Sequence, residues 1–284
     1  MLALVDAGRL TAISAMATAP SWPEMAGELR ARRDRVAVGL HLDLTWRPFD
    51  GERPPFDHRA LILSSLGRRL DVAAIAAEFE RQFDLFENAL GAAPDHVDGH
   101  HHAHALPQAR DALLAVLQRR YGAVDAELRP VVRAPGDAIG AILRRRCARG
   151  KALIVASLSA GFAARVAAAG FAANRGFSGF SPLDGRRPFA EEFPEFLKAL
   201  GPRHLVMCHP GFADEPGGRV GHPARREEEY ATLMRREDLL AAMTRVDRPK
   251  DRPGGAFAGW GAPISRSGDC GKSGGVAEVL GPWR

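Results

Sequence analysis

Short apolar runs alternate with amphipathic helical patterns along most of the chain, and this alternation restricts the fold more than any other feature. Leu10 to Ala17 and Val36 to Leu44 read as strands, with a helix between them over about Pro23 to Arg33. Residues 70–90 carry Val72, Ile75, Phe79, Phe83, Phe86 and Leu90 at three- and four-residue spacing, which predicts an amphipathic helix ended by a left-handed cap at Gly91. A short strand at Asp95 to Asp98 precedes a helix opened by Pro107, with Leu113, Leu114 and Leu117 facing inward. Pro130 to Arg133, Lys151 to Ser157 and the run RHLVMCH (203–209) read as further strands. Helices are expected near 137–149, 160–169, 188–200 and 223–243. Elements of these lengths in alternation predict βαβ units and a largely parallel sheet, an α/β fold.

From Arg248 onward the pattern stops. Thirteen of the last 37 residues are Gly or Pro, mixed with Ser, Lys and Arg. Such a composition buries too little apolar surface to offset the entropy of ordering, so residues 248–284 are expected to be a mostly disordered tail behind a domain at 1–247.

The rest of the composition serves mainly to exclude. Apolar residues make up 46% of 284, enough for one sizeable core, and no run of eighteen apolar residues suggests a membrane span. The opening MLALVDAGRLTAISAMATAP has the look of a leader, but Asp6 and Arg9 interrupt it and no basic segment precedes it, so a cytoplasmic location is expected. Three scattered cysteines (Cys147, Cys208, Cys270) fit neither a disulfide framework nor a CxxC zinc site. The net charge of +5 comes from arginine-rich stretches at 30–35, 144–149 and 225–236, which read as solvated helix faces; no nucleic-acid motif accompanies them.

The apolar runs end on chemistry. VAVGLH ends in His41, DHVDGH passes through His96, Asp98 and His100, RPVVR ends in Arg133, and HLVMCH ends in His209. In parallel α/β folds the loops at the carboxyl ends of the strands form the active-site face. Five of the ten histidines fall in the nine residues His96 to His104. Neutral imidazole binds metals and a nearby carboxylate can orient it; if the segment is extended, 96, 98, 100, 102 and 104 share one side. The alternative is a solvated histidine-rich loop. His41 gains weight as a second ligand only beside this cluster. His209 either hydrogen-bonds within its Cys-His-Pro-Gly turn or acts as a general acid. Arg133 either pairs with a carboxylate or orients a catalytic acid or the substrate. Cys208 reads as a core thiol, and His58, His204 and His222 as surface or structural residues.

Together GRLTAISAM (8–16), VGLHLDLT (38–45), HVDGHHHAH (96–104), VVRAP (131–135), GFSPLDG (179–185) and VMCHPGFAD (206–214) resemble the YdjC/ChbG-like carbohydrate deacetylases, a family with a hopanoid-associated branch. The resemblance spans about residues 1–245. It implies a TIM-like (β/α) barrel and hydrolysis of an N-acetyl group from an amino sugar. It also implies a divalent ion, magnesium favoured over zinc, held by an aspartate and two histidines. Residue by residue, His41 and His100 match the metal-binding histidines, and His209 a catalytic acid. Arg133 matches an arginine lining the cleft, a substrate-binding position, and His102 and His104 match positions beside the substrate or one layer behind the ligands. Relatives open with a strand ending in Asp-Asp-Phe-Gly that supplies the third ligand and a base. This chain starts in the following helix, and neither Asp43 nor Asp98 stands in that position. With the last strand replaced by the tail, the resemblance predicts a barrel incomplete at its first and last strands. Its two unpaired edges would invite aggregation or pairing, with a homodimer one such pairing. Impaired activity is expected. The competing expectations are an inactive sugar- or metal-binding relative, and an amidohydrolase acting on a non-sugar amide.

Overall fold

Strands buried on both faces need near-continuous apolar runs, and the runs named above meet that need. Every residue of β1 (Ala12–Ala15), β2 (Ala37–Leu42), β3 (His96–Gly99), β4 (Val131–Val132), β5 (Gly176–Ser178) and β6 (His204–Cys208) is buried. The computed structural model describes residues 1–45, 57–182, 186–212, 223–235 and 275–280. Within them, seven strands form one sheet in the order β4-β3-β2-β1-β7-β6-β5, and every neighbouring pair is parallel.

Helices fill the connections. They are α1 (Leu2–Asp6), α2 (Trp22–Arg30), α3 (His58–Leu66), α4 (Val72–Leu90), α5 (Ala109–Tyr121), α6 (Ile139–Arg144), α7 (Arg149–Leu158), α8 (Phe162–Ala168), α9 (Phe189–Phe196) and α10 (Pro223–Arg235). α4 follows the expected pattern closely. The Asp71 side chain caps it by accepting the Ala73 and Ala74 N–H groups, and Gly91 closes it in the left-handed region at φ 71°. Its buried stripe of Ile75, Phe79, Phe83, Phe86 and Leu90 packs toward α2 and α5, with Phe86 stacked 4.8 Å from Trp22. Each such side chain contributes about 1.5–3 kcal/mol by leaving water.

Three expectations are corrected. Lys151 to Ser157 is helix, part of α7, not strand. A short apolar run does not distinguish the two periods, and here Ile154 is left 63% exposed while Ala152 is buried. The helix expected over 137–149 breaks after Arg144. There Arg145 turns extended and its guanidinium reaches Asp137 at 2.7 Å and the Phe177 and Lys198 carbonyls. Finally, the segment expected as tail contains β7 (Gly275–Leu280), and this strand lies between β1 and β6, pairing with both. Its sequence GVAEVL holds two β-branched valines in an otherwise Gly/Pro-rich stretch, and a parallel neighbour on each side supplies the pairing that composition alone could not foresee. The remainder of 248–284 lies outside the described residues.

The outer strands β4 and β5 approach one another. Val132 and Ala173 form a parallel bridge, the Val132 N–H reaches the Ala172 carbonyl at 2.8 Å, and the Asn174 side chain spans the seam to both the N–H and the carbonyl of Ala134. Among the described residues no single helix is long and apolar enough to cross a membrane.

Candidate active site

Parallel pairing sets His41 of β2 directly beside Asp98 of β3. The Asp98 carboxylate is fully enclosed, and its Oδ1 lies 2.6 Å from His41 Nδ1. Its Oδ2 accepts the Ser14 hydroxyl at 3.0 Å and lies 2.6 Å from Arg133 Nη1. Burial alone would raise the Asp98 pKa, but the Arg133 and His41 partners outweigh it and hold the group well below the usual carboxylate range. The Asp98 contact fixes the orientation of the His41 ring through Nδ1 and leaves Nε2 as the nitrogen on its far side. Ser14 also meets His96 Nε2 at 2.8 Å. This packing needs Gly39, because a Cβ there would fall 2.2 Å from the His96 ring.

Beyond Gly99 the expected alternation of the histidines fails. His100–Ala105 is a 3-10 segment in which His101 and His102 both adopt left-handed angles (φ 52° and 60°), uncommon for residues with a side chain. Successive rings are therefore thrown in different directions. His100 meets His41 edge-on, with ring centroids 5.6 Å apart. His101 stacks on His58 of α3 at 4.3 Å. His102 lies against Phe177 and Phe180, with its Nδ1 3.2 Å from Arg133 Nη2. His104 turns inward: it is 1% exposed and bonds the Arg133 carbonyl through Nε2 at 2.8 Å.

Arg133 and His104 thus stand behind the histidine cluster, for His104 the second of its two expected positions. Arg133 and His104 are both 1% exposed, and Arg133 spends its guanidinium on Asp98, the Gly99 carbonyl (2.7 Å) and His102. The carboxylate pairing, one of its two sequence readings, is present. His41 and His100 are brought together as expected, and His209 follows β6 at the same end of the sheet. Sequence reasoning passed over Asp98 as the hub and His58 as a stacking partner. It also passed over Lys151, whose ammonium electrostatically lowers His58, His101, His102 and His209. Only the position of Asp98 opposite His41 carried a readable signal, through strand pairing.

The imidazoles of His100, His101, His102 and His209 are neutral at physiological pH. Burial, reinforced by His101 and His41, pushes His100 well below the ordinary value. Burial also takes His209 down to about 3, with Arg226 and Lys151 adding to the effect. Neutral rings are what metal ligation requires. However, among the described residues no three His, Cys, Asp or Glu side chains converge as an ion would need. His41 and His100 are two donors, and both oxygens of the nearest carboxylate, Asp98, are already engaged. The described residues do not complete a metal site.

A family model described as YdjC-like protein matches residues 1–242. The chain belongs to the YdjC-like family. Chitooligosaccharide deacetylases of Yersinia pestis (strain Pestoides F) and Yersinia pseudotuberculosis (serotype O:1b) are each 38% identical over 89 residues, 29% of this chain and 35% of theirs. The match therefore spans about a third of the length of these curated relatives. A solved Enterococcus faecalis structure, named for cellobiose-phosphate cleavage, superposes over 90% of both chains with a TM-score of 0.54 at 16% identity. That likeness speaks for the fold. In this YdjC-like chain the residues brought together at the carboxyl ends of β2, β3 and β6 come from GLHLDLT, HVDGHHHAH and CHPG.

Proposed function

We propose that the chain is a carbohydrate N-deacetylase on a barrel-like (β/α) scaffold, hydrolysing the N-acetyl group of an amino sugar to acetate and a free amine. The observation that carries this reading is the carboxylate-oriented imidazole of His41, edge-on to His100, at the end of the sheet where β6 delivers His209. The bridge from Val132 of β4 to Ala173, just ahead of β5, supports barrel closure.

Amide hydrolysis needs a proton taken from water and one given to the departing nitrogen. His209 is neutral in the free site, so it serves both steps in turn: its ring takes a proton from the attacking water and returns it to the amine as the C–N bond breaks. Asp98 and Arg133 hold the cluster in place and stay out of contact with substrate. A divalent ion, magnesium before zinc, is what the family resemblance implies.

The test is acetate release from di-N-acetylchitobiose, with and without added magnesium or zinc. The expected result is turnover that falls by about 10²-fold or more in His209→Ala. A second reading, a sugar-binding relative without turnover, is favoured by the lack of three converging ligands among the described residues. Calorimetric binding of the disaccharide with no acetate released would decide for it.

A further inference from the structure

The turn after β6 is held from behind by α10. The Glu229 side chain, 1% exposed, accepts the backbone N–H of His209 through Oε2. Its other oxygen lies 3.4 Å from Arg225 Nε. Arg225 is itself locked. It pairs with buried Glu192 of α9, donates to the Arg187 carbonyl at 2.8 Å and lies 4.9 Å over the Phe189 ring. Two further contacts bind the same elements: Glu228 accepts the Phe189 N–H at 2.7 Å, and the Gly211 N–H reaches the Arg226 carbonyl at 3.1 Å. A backbone N–H could be satisfied by any neutral acceptor, and burying a carboxylate is expensive. A charged acceptor aimed at this one amide makes a stronger bond than a neutral one and fixes the turn more tightly.

We propose that Glu229 is the positioning residue for His209, its carboxylate gripping the His209 amide so that the imidazole is held for proton transfer. The proposal rests on His209 as the proton carrier. Burial raises Glu229 to about 7, against the pull of the His209 amide and Arg225, so the grip weakens as pH falls through neutrality. The groups facing it are Arg225 and Arg226 of α10, Cys208 at the end of β6, His209 after it, and Glu192 through Arg225. Burial pushes the Cys208 thiol well up, and His209 lies near 3, so neither titrates in that range. The Met1 ammonium is lowered by burial and by Arg226, which makes an N-terminally acetylated chain the necessary control.

The experiment compares Glu229→Ala and Glu229→Gln with wild type for kcat, KM and their pH profiles, with circular dichroism to check folding. Glu229→Ala should lose about a hundredfold in kcat with little change in KM, the cost of a displaced catalytic ring. Glu229→Gln, which keeps an acceptor oxygen, should recover most of that loss but lack the rise in kcat with pH near 7. Independently of activity, the His209 amide proton followed by NMR should titrate near pH 7 in wild type and in the acetylated chain, and stay flat in Glu229→Gln. An unchanged kcat in a folded Glu229→Ala, or an amide titration that survives in Glu229→Gln, would overturn the proposal. Full turnover in His209→Ala would instead remove the role given to His209, and the amide titration reports the Glu229 contact separately.

Discussion

Asp98→Ala is expected to destabilise the chain by about 3–5 kcal/mol, the cost of leaving a buried charge without its partner. Arg133 is almost as enclosed as Asp98, so its charge would be left buried without the carboxylate. Domain stabilities are only about 5–15 kcal/mol, so this one change approaches the whole margin. Asp98→Asn keeps the shape but not the charge and should fare little better. Asp98→Leu combined with Arg133→Met removes both charges and should recover part of the loss. Urea midpoints at neutral pH measure all three, and an Asp98→Ala midpoint within error of wild type would remove the hub role. The pH signature follows from sign. Asp98 is held below its ordinary value of 3.8, so its contribution is present at and above that pH and is lost as pH falls toward the folded value. Glu229 acts the other way. Raised from 4.5 to about 7, it contributes most below 4.5, and that contribution is lost as pH rises through about 7. Glu229→Gln should therefore flatten the stability curve between pH 4.5 and 7 and leave the acid limb intact.

Ending the chain after Asp247 should leave little or no soluble folded protein. β7 pairs with β1 from Ala12 to Ser14 and with β6 from His204 to Cys208, so its removal unzips the middle of the sheet. Two parallel strands, both buried on each face, would then present bare edges, which recruit other chains. Size-exclusion chromatography and thermal melting of the truncated protein check this. A monomeric product melting with the full chain would show the segment to be dispensable, as its composition suggests.

What could be read from the residues divides along physical lines. Strands β1, β2, β3, β4 and β6 and helix α4 were legible because burial on two faces, or on one stripe of a helix, imposes a periodicity on the sequence. The approach of His41 to His100 followed from the rule that strand ends gather chemistry. The rest depended on contacts that no local pattern encodes. The left-handed turn at His101 and His102 lies in the middle of a histidine run, where neither Gly nor Pro marks it. For Arg133 and His104 the sequence left a substrate contact and a supporting role both open, because burial of a polar side chain is invisible until its partner, Asp98 or a carbonyl, is placed. Glu229 sits among three consecutive glutamates on a helix that looks solvent-facing, and only the packing of α10 against β6 singles it out. β7 was hidden by its glycine-rich surroundings.

The placement of β7 also sets the order of assembly. Every other described strand precedes it in the chain, yet it pairs Ala12 with Glu278, residues from nearly opposite ends of the sequence. Contacts at such separation form slowly, because a very long loop must close first. During synthesis the β1–β4 half must therefore wait, with an unpaired flank, until Gly275–Leu280 emerges. The interval before that strand docks is the stage of this protein's life at which chaperones have most to protect.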